Sequence, residues 1–152
     1  MQFTKMILSL FCSLFLWGCS SSEPVFKDSQ GQSIQLSAYE GKWVIVNYWA
    51  AWCHSCIQEI PELNRLSKNN SDKIVLLGVN YDHLAPNELK AAMNKARILF
   101  PVLVEDPQKA WHLGEIAVVP TTFIINPQGK LVETVSGPTS EKLLLDKIKS
   151  LS

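Results

Sequence analysis

A chain of 152 residues, 47% hydrophobic and 18% charged, is long enough to bury one proper core and predicts a single folded domain. Its 14 basic and 14 acidic residues cancel. With no basic excess, no interleaving of aromatic and basic residues and no block of like charge, a nucleic-acid surface and a charged tail are excluded.

The first nineteen residues read as a targeting segment. Lys5 supplies a positive start, and the apolar run from Met6 to Trp17 falls well short of the roughly 20 residues of a membrane-spanning helix. Leu16-Trp17-Gly18-Cys19 resembles the lipobox of bacterial lipoproteins, in which the chain is cut before a cysteine that then carries lipid. That resemblance implies a signal peptide over 1–18, lipid on Cys19, a flexible tether over 19–24 and a folded domain over 25–152. An uncleaved apolar anchor and an ordinary secretory signal are the alternatives, and Trp17 stands where a small residue is usual. All three readings export the domain, and lipid on Cys19 would hold it in the cell envelope. Cys12 sits inside the apolar run, which leaves Cys53 and Cys56 as the cysteines of the fold, too few for a disulfide framework.

From Val25 the pattern predicts a hairpin, Val25 to Lys27 and Gln32 to Leu36 around Ser29-Gln30-Gly31, followed by a short turn over Ser37 to Gly41. Trp43 to Trp49 is apolar almost throughout, as a strand buried on both faces would be. Cys53 to about Lys68 reads as a helix with Ile57, Ile60, Leu63 and Leu66 as its apolar stripe and a kink at Pro61. A second buried strand, Ile74 to Asn80, completes a right-handed βαβ unit with a parallel pair, and the residues between strand and helix lie at the strand's carboxyl end. Pro86 to Ala96 predicts another helix, Val102 to Val104 a short strand and Gln108 to Leu113 a helical turn. Thr121 to Asn126 and Leu131 to Ser136 form a hairpin around Pro127-Gln128-Gly129-Lys130, and Ser140 starts the closing helix.

Two cysteines spaced C-x-x-C at a helix start can close a small disulfide, while the free N–H groups and the helix dipole favour a thiolate there. Cys53 then attacks and Cys56 resolves, the two roles that thiol-disulfide exchange requires. Half of a zinc site is the competing reading, but His83 and His112 lie without ligand spacing, so no metal is expected. Trp49 and Trp52 either fill the core or make an apolar rim for an incoming chain. His54, when protonated, adds positive charge beside Cys53. Glu59 is either surface decoration of a helix start or, three residues after Cys56 on one face, an acceptor for the resolving thiol's proton.

Trp52-Cys53-His54-Ser55-Cys56 after a buried strand, with Val119-Pro120-Thr121-Thr122-Phe123 before the hairpin, resembles the thioredoxin superfamily. Within it, Val46-Asn47-Tyr48-Trp49-Ala50-x-Trp52-Cys53, Cys56-x-x-Glu59-x-Pro61 and the extra helix and strand over 86–104 are similar to the membrane-tethered TlpA/ResA-like branch of bacterial thiol-disulfide oxidoreductases. The resemblance implies an α/β fold, a thioredoxin-like three-layer sandwich with a mixed central sheet, an N-terminal hairpin and an inserted helix and strand. It also implies reduction of disulfides outside the cytoplasm, often during cytochrome c maturation, and a cis Val119–Pro120 bond facing the dithiol against which a substrate strand pairs. Asn47 stands where ordinary thioredoxins carry a buried Asp, which leaves Glu59 as the available carboxylate. His54 and Ser55 tune the potential, in a place where strongly reducing relatives usually have Pro second. The expected protein is therefore a monomeric envelope enzyme without a cofactor, acting on disulfide-containing proteins and fed by a membrane thiol donor. Its rivals are an oxidase or isomerase on the same scaffold and a Cu(I)-delivery protein. Nothing resembles the peroxidatic Pro-Thr-Cys pattern.

Overall fold

The computed structural model describes residues 23–152, so the expected signal peptide and Cys19 lie outside the described residues. Strands β1 (Phe26–Lys27) and β2 (Ser33–Ile34) pair antiparallel as a separate small sheet. Asp28 turns the chain between them: its buried carboxylate accepts the N–H groups of Gln30 at 2.9 Å and Gln32 at 2.8 Å. The hairpin is shorter than expected because Leu36–Tyr39 coils into a 3₁₀ turn. Glu23, in the expected tether, accepts the Ser37 N–H at 2.9 Å and its hydroxyl as well.

The main sheet has the order β5-β4-β3-β6-β7. Strand β3 (Trp43–Trp49) lies at its centre, parallel to β4 (Ile74–Asn80), with Trp43 opposite Ile74 and Trp49 opposite Asn80. Helix α1 (His54–Asn69) makes the crossover between them. Helix α2 (Pro86–Ala96) leads to β5 (Val102–Leu103), parallel to β4, and β6 (Thr121–Ile125) and β7 (Leu131–Ser136) complete the far edge antiparallel. Helix α3 (Glu141–Leu151) closes the chain, with the Ser140 hydroxyl capping it through the Leu143 N–H at 3.2 Å.

Buried residues of all three helices pack on the face of β3 that carries Ile45 and Trp49. Val44, Val46 and Tyr48 point the other way, against Phe26, Ile34, Trp111 and Leu113. Both faces of β3 are thus covered, which explains its unbroken apolar run. The third layer is built from the small hairpin and the Pro107–Leu113 segment, whose expected helical turn is a turn closed by the Trp111 N–H on the Pro107 carbonyl at 2.9 Å.

The buried stripe of α1 is Cys56, Glu59, Ile60, Leu63 and Leu66, with Ile57 only half-buried. Steps of three drift off a helix that turns every 3.6 residues, so the start of the expected stripe falls beside the core and a carboxylate enters it. α1 continues through Pro61 as one helix, and the proline leaves the Ile57 carbonyl without its helical donor. No helix among the described residues is long and apolar enough to cross a membrane.

Candidate active site

β3 ends at Trp49, and a turn closed by the Cys53 N–H on the Ala50 carbonyl at 3.1 Å delivers the chain to α1. Cys53 is the N-cap of that helix, extended at φ −82° and ψ 104°, and its Sγ accepts the Cys56 N–H at 3.2 Å. The two sulfurs are joined, 2.07 Å apart with a Cα–Cα distance of 5.2 Å. Ser55 Oγ lies 3.5 Å from Cys53 Sγ. Cys53 retains 5% exposure and Cys56 none, so the edge of the disulfide that a partner can meet belongs to Cys53.

Across from the dithiol, the Val119–Pro120 bond is cis, and the Val119 carbonyl oxygen lies 3.6 Å from Cys53 Sγ. The Thr121 hydroxyl donates to the Val118 carbonyl at 2.7 Å and ties this turn to the start of β6. The two expected tryptophans divide the roles between them. Trp49 is buried in the core, whereas Trp52 is 66% exposed and donates its indole N–H to both carboxylate oxygens of Asp82 at 3.0 Å. Val118, next to Val119, and Tyr81, next to Asp82, are also exposed, so large apolar side chains open to water flank the segments that meet at Cys53. His54 is exposed.

Glu59 is 3% exposed, which is incompatible with surface decoration. Its Oε1 accepts from Asn47 Nδ2 at 2.8 Å, and its Oε2 accepts from the Thr139 backbone N–H at 2.7 Å. The Asn47 amide also donates to Thr122 Oγ1 at 3.0 Å. Burial pushes the Glu59 carboxyl up to about 7, and the Thr139 and Asn47 donors offset only part of that rise. A carboxyl group that exchanges its proton near neutrality therefore shares the helix face of Cys56.

On the other side of β3, the Tyr48 hydroxyl donates to Asp106 at 2.5 Å, and burial holds that phenol protonated. This pair belongs to the packing of the third layer.

The structure therefore brings together Cys53, Ser55, Cys56 and Val119–Pro120, and separately pairs Asn47 with Glu59. Sequence reasoning missed Asp82, Tyr81, Val118 and Thr139. Val118 adjoins a motif already singled out, but Thr139 contributes only a backbone N–H, and no side-chain pattern announces that.

The AhpC/TSA family model matches residues 22–134. The thiol-disulfide oxidoreductase ResA of Bacillus subtilis (strain 168) is 31% identical over 132 residues, covering 85% of this chain and 72% of that protein. Among solved structures, the pneumococcal exposed lipoprotein thioredoxin Etrx1 from Streptococcus pneumoniae strain TIGR4 superposes with a TM-score of 0.74 at 26% identity, covering 85% of this chain and 99% of that one. A thioredoxin-family thiol:disulfide interchange protein from Chlorobium tepidum TLS gives 0.67 at 25% identity, covering 84% and 91%. With a disulfide-closed C-x-x-C at the head of α1 in a thioredoxin-like fold, the chain belongs to the AhpC/TSA family and is a thiol-disulfide oxidoreductase related to ResA.

Proposed function

We propose that the enzyme acts outside the cytoplasm, held to a membrane by lipid on Cys19, and reduces disulfides of protein substrates, with cytochrome c maturation as the process. The observation that supports this reading is the asymmetry of the dithiol. Cys53 caps α1 beside the Val119 carbonyl, where segments carrying exposed apolar side chains meet, while Cys56 is enclosed on the helix face of Glu59.

In the reduced protein the Cys53 thiolate, favoured by the helix N-terminus and by His54 when protonated, attacks one sulfur of the substrate disulfide. That S–S bond breaks, one substrate sulfur leaves as a thiolate and a mixed disulfide forms. Cys56 passes its proton towards Glu59, directly or through water, and attacks Cys53 Sγ. The second substrate sulfur leaves, and the Cys53–Cys56 bond closes. Two electrons have passed to the substrate, and a membrane thiol donor restores the dithiol. Trp52 and the backbone at Val119–Pro120 receive the substrate strand.

The test is equilibration with glutathione buffers together with insulin reduction in the presence of dithiothreitol. The expected potential lies nearer thioredoxin's, about −270 mV, than the about −120 mV of strong periplasmic oxidants. Cys56→Ser should trap mixed disulfides while Cys53→Ser traps none. Cys19→Ser should release the protein from membranes or block its processing. A second reading has an observation of its own: the helix start at Cys53 and His54 beside it favour the thiolate, hence the reduced form, and Ser55 stands where strongly reducing relatives usually have Pro, as suits an oxidase or isomerase. A dithiol that stays mostly reduced in buffers that oxidise thioredoxin would establish that reading instead.

A further inference from the structure

The inserted helix α2 and the loop after it leave a groove against α1 that the exchange chemistry does not use. Its main part, about 860 Å³, is lined by Ile57, Pro61 and Leu99 with Lys95 and Arg97 along one wall. A smaller extension of about 120 Å³ shares Ile57 and Lys95 and opens at Ala51, next to Trp52 and Cys53. The extension thus reaches the residue two places before Cys53 in the chain.

Leu99 is 82% exposed, yet its backbone is held in place. The Asn64 amide donates to the Arg97 carbonyl at 2.8 Å and accepts the Leu99 N–H at 2.9 Å. Arg97 itself is locked in the left-handed region at φ 58°, its N–H directed at the last carbonyls of α2. A large apolar side chain presented to water from a pinned backbone has only its own rotamer freedom to lose on contact with a partner.

The charges indicate which partner. Lys95, Arg97 and Lys68, at the far end, form no ion pair among the described residues, and no acidic side chain lines the groove. The chain's own first 22 residues carry a single charge, Lys5, and supply no acid.

We propose that the α1–α2 groove docks the substrate protein through a segment in which an apolar residue is flanked by Asp or Glu, a few residues from the cysteine that Cys53 attacks. The identity of that partner as substrate rests on the reductase reading above. Leu99 and Ile57 receive the apolar side chain, and Lys95 and Arg97 meet the carboxylates.

The test uses two synthetic peptides, each closed by one internal disulfide and identical except that a Leu outside the ring is flanked by Glu or by Lys. In single turnover the reduced protein should react with the acidic peptide with a second-order rate constant about fivefold higher, and K95E/R97E should reverse the order. Reduction of bis(2-hydroxyethyl) disulfide, which is uncharged and too small to fill the groove, should not change. Equal rates on the two peptides, or a preference that survives K95E/R97E, would overturn the proposal. If no disulfide is reduced at all, the reductase reading fails by itself. The groove is then read by fluorescence anisotropy of a cysteine-free acidic peptide on the oxidised protein: binding weakened by K95E/R97E upholds docking, and no binding refutes it. A wild-type dimer in sedimentation that Leu99→Ser dissociates assigns the groove to a second copy and likewise overturns the proposal.

Discussion

Glu59 shows what one buried acid costs and what it supplies. Its folded pKa of about 7 stands above the ordinary 4.5, so the folded state binds this proton more tightly than the unfolded chain does. The group therefore weighs least on stability below pH about 4.5, and stability falls as pH rises towards about 7, by on the order of 3 kcal/mol in all. In Glu59→Gln the slope disappears, but one of the two donors, Asn47 Nδ2 or the Thr139 N–H, meets an amide NH₂ instead of an acceptor, at about 1 kcal/mol. Urea unfolding of the oxidised protein should then find the variant slightly less stable than wild type at pH 5 and more stable at pH 8. Parallel pH curves for the two proteins would mean that Glu59 is not titrating in this range. Single-turnover kinetics of Glu59→Gln should also show slower closure of the Cys53–Cys56 bond after the mixed disulfide forms.

At the scale of elements, β4 and α3 carry the site without touching substrate. Gly78 sits in β4 where an added Cβ would lie 3.0 Å from both Phe100 Cε2 and Val102 Cγ2, side chains that are themselves buried. Gly78→Ala should therefore lower the urea midpoint, corresponding to about 1–3 kcal/mol, with the slope unchanged. The first turn of α3 is linked to the active site because the Thr139 N–H just before its cap holds Glu59. Ser140→Ala should cost about 1 kcal/mol, seen as a lower midpoint, and should speed amide exchange at Thr139 more than in β3.

At the scale of the whole molecule, order is concentrated at the middle of the main sheet. β3 pairs along its full length with β4 and along most of it with β6, and both of its faces are covered. The β1–β2 hairpin has two residues per strand and joins the main sheet through a lone bridge between Asp28 and Leu103. Native-state hydrogen exchange should accordingly find amides of β3, β4 and β6 exchanging only by global unfolding, and those of β1 and β2 exchanging by local opening at a lower free energy. Uniform protection across both sheets would contradict this division.

Local signals determined much of this protein. Unbroken apolar runs mark β3 and β4 because strands buried on both faces need apolar side chains on both sides, and a C-x-x-C at a helix start is a local device whose two sulfurs reach each other within one turn. Turn residues placed the β6–β7 hairpin for the same reason, since their backbone preferences act over a few residues. What the tertiary structure decided depends on groups far apart in the chain. Whether Glu59 lay in water or in the core turned on the 3.6-residue winding of α1 and on a backbone N–H 80 residues away, which no side-chain pattern encodes. The pairing of Trp52 with Asp82, the place of Val119 beside Cys53 and the pinned loop at Leu99 exist only once separate elements pack. Sequence spacing reports contacts within an element, whereas the carboxyl's affinity for its proton and the shape of the groove are set by contacts between elements.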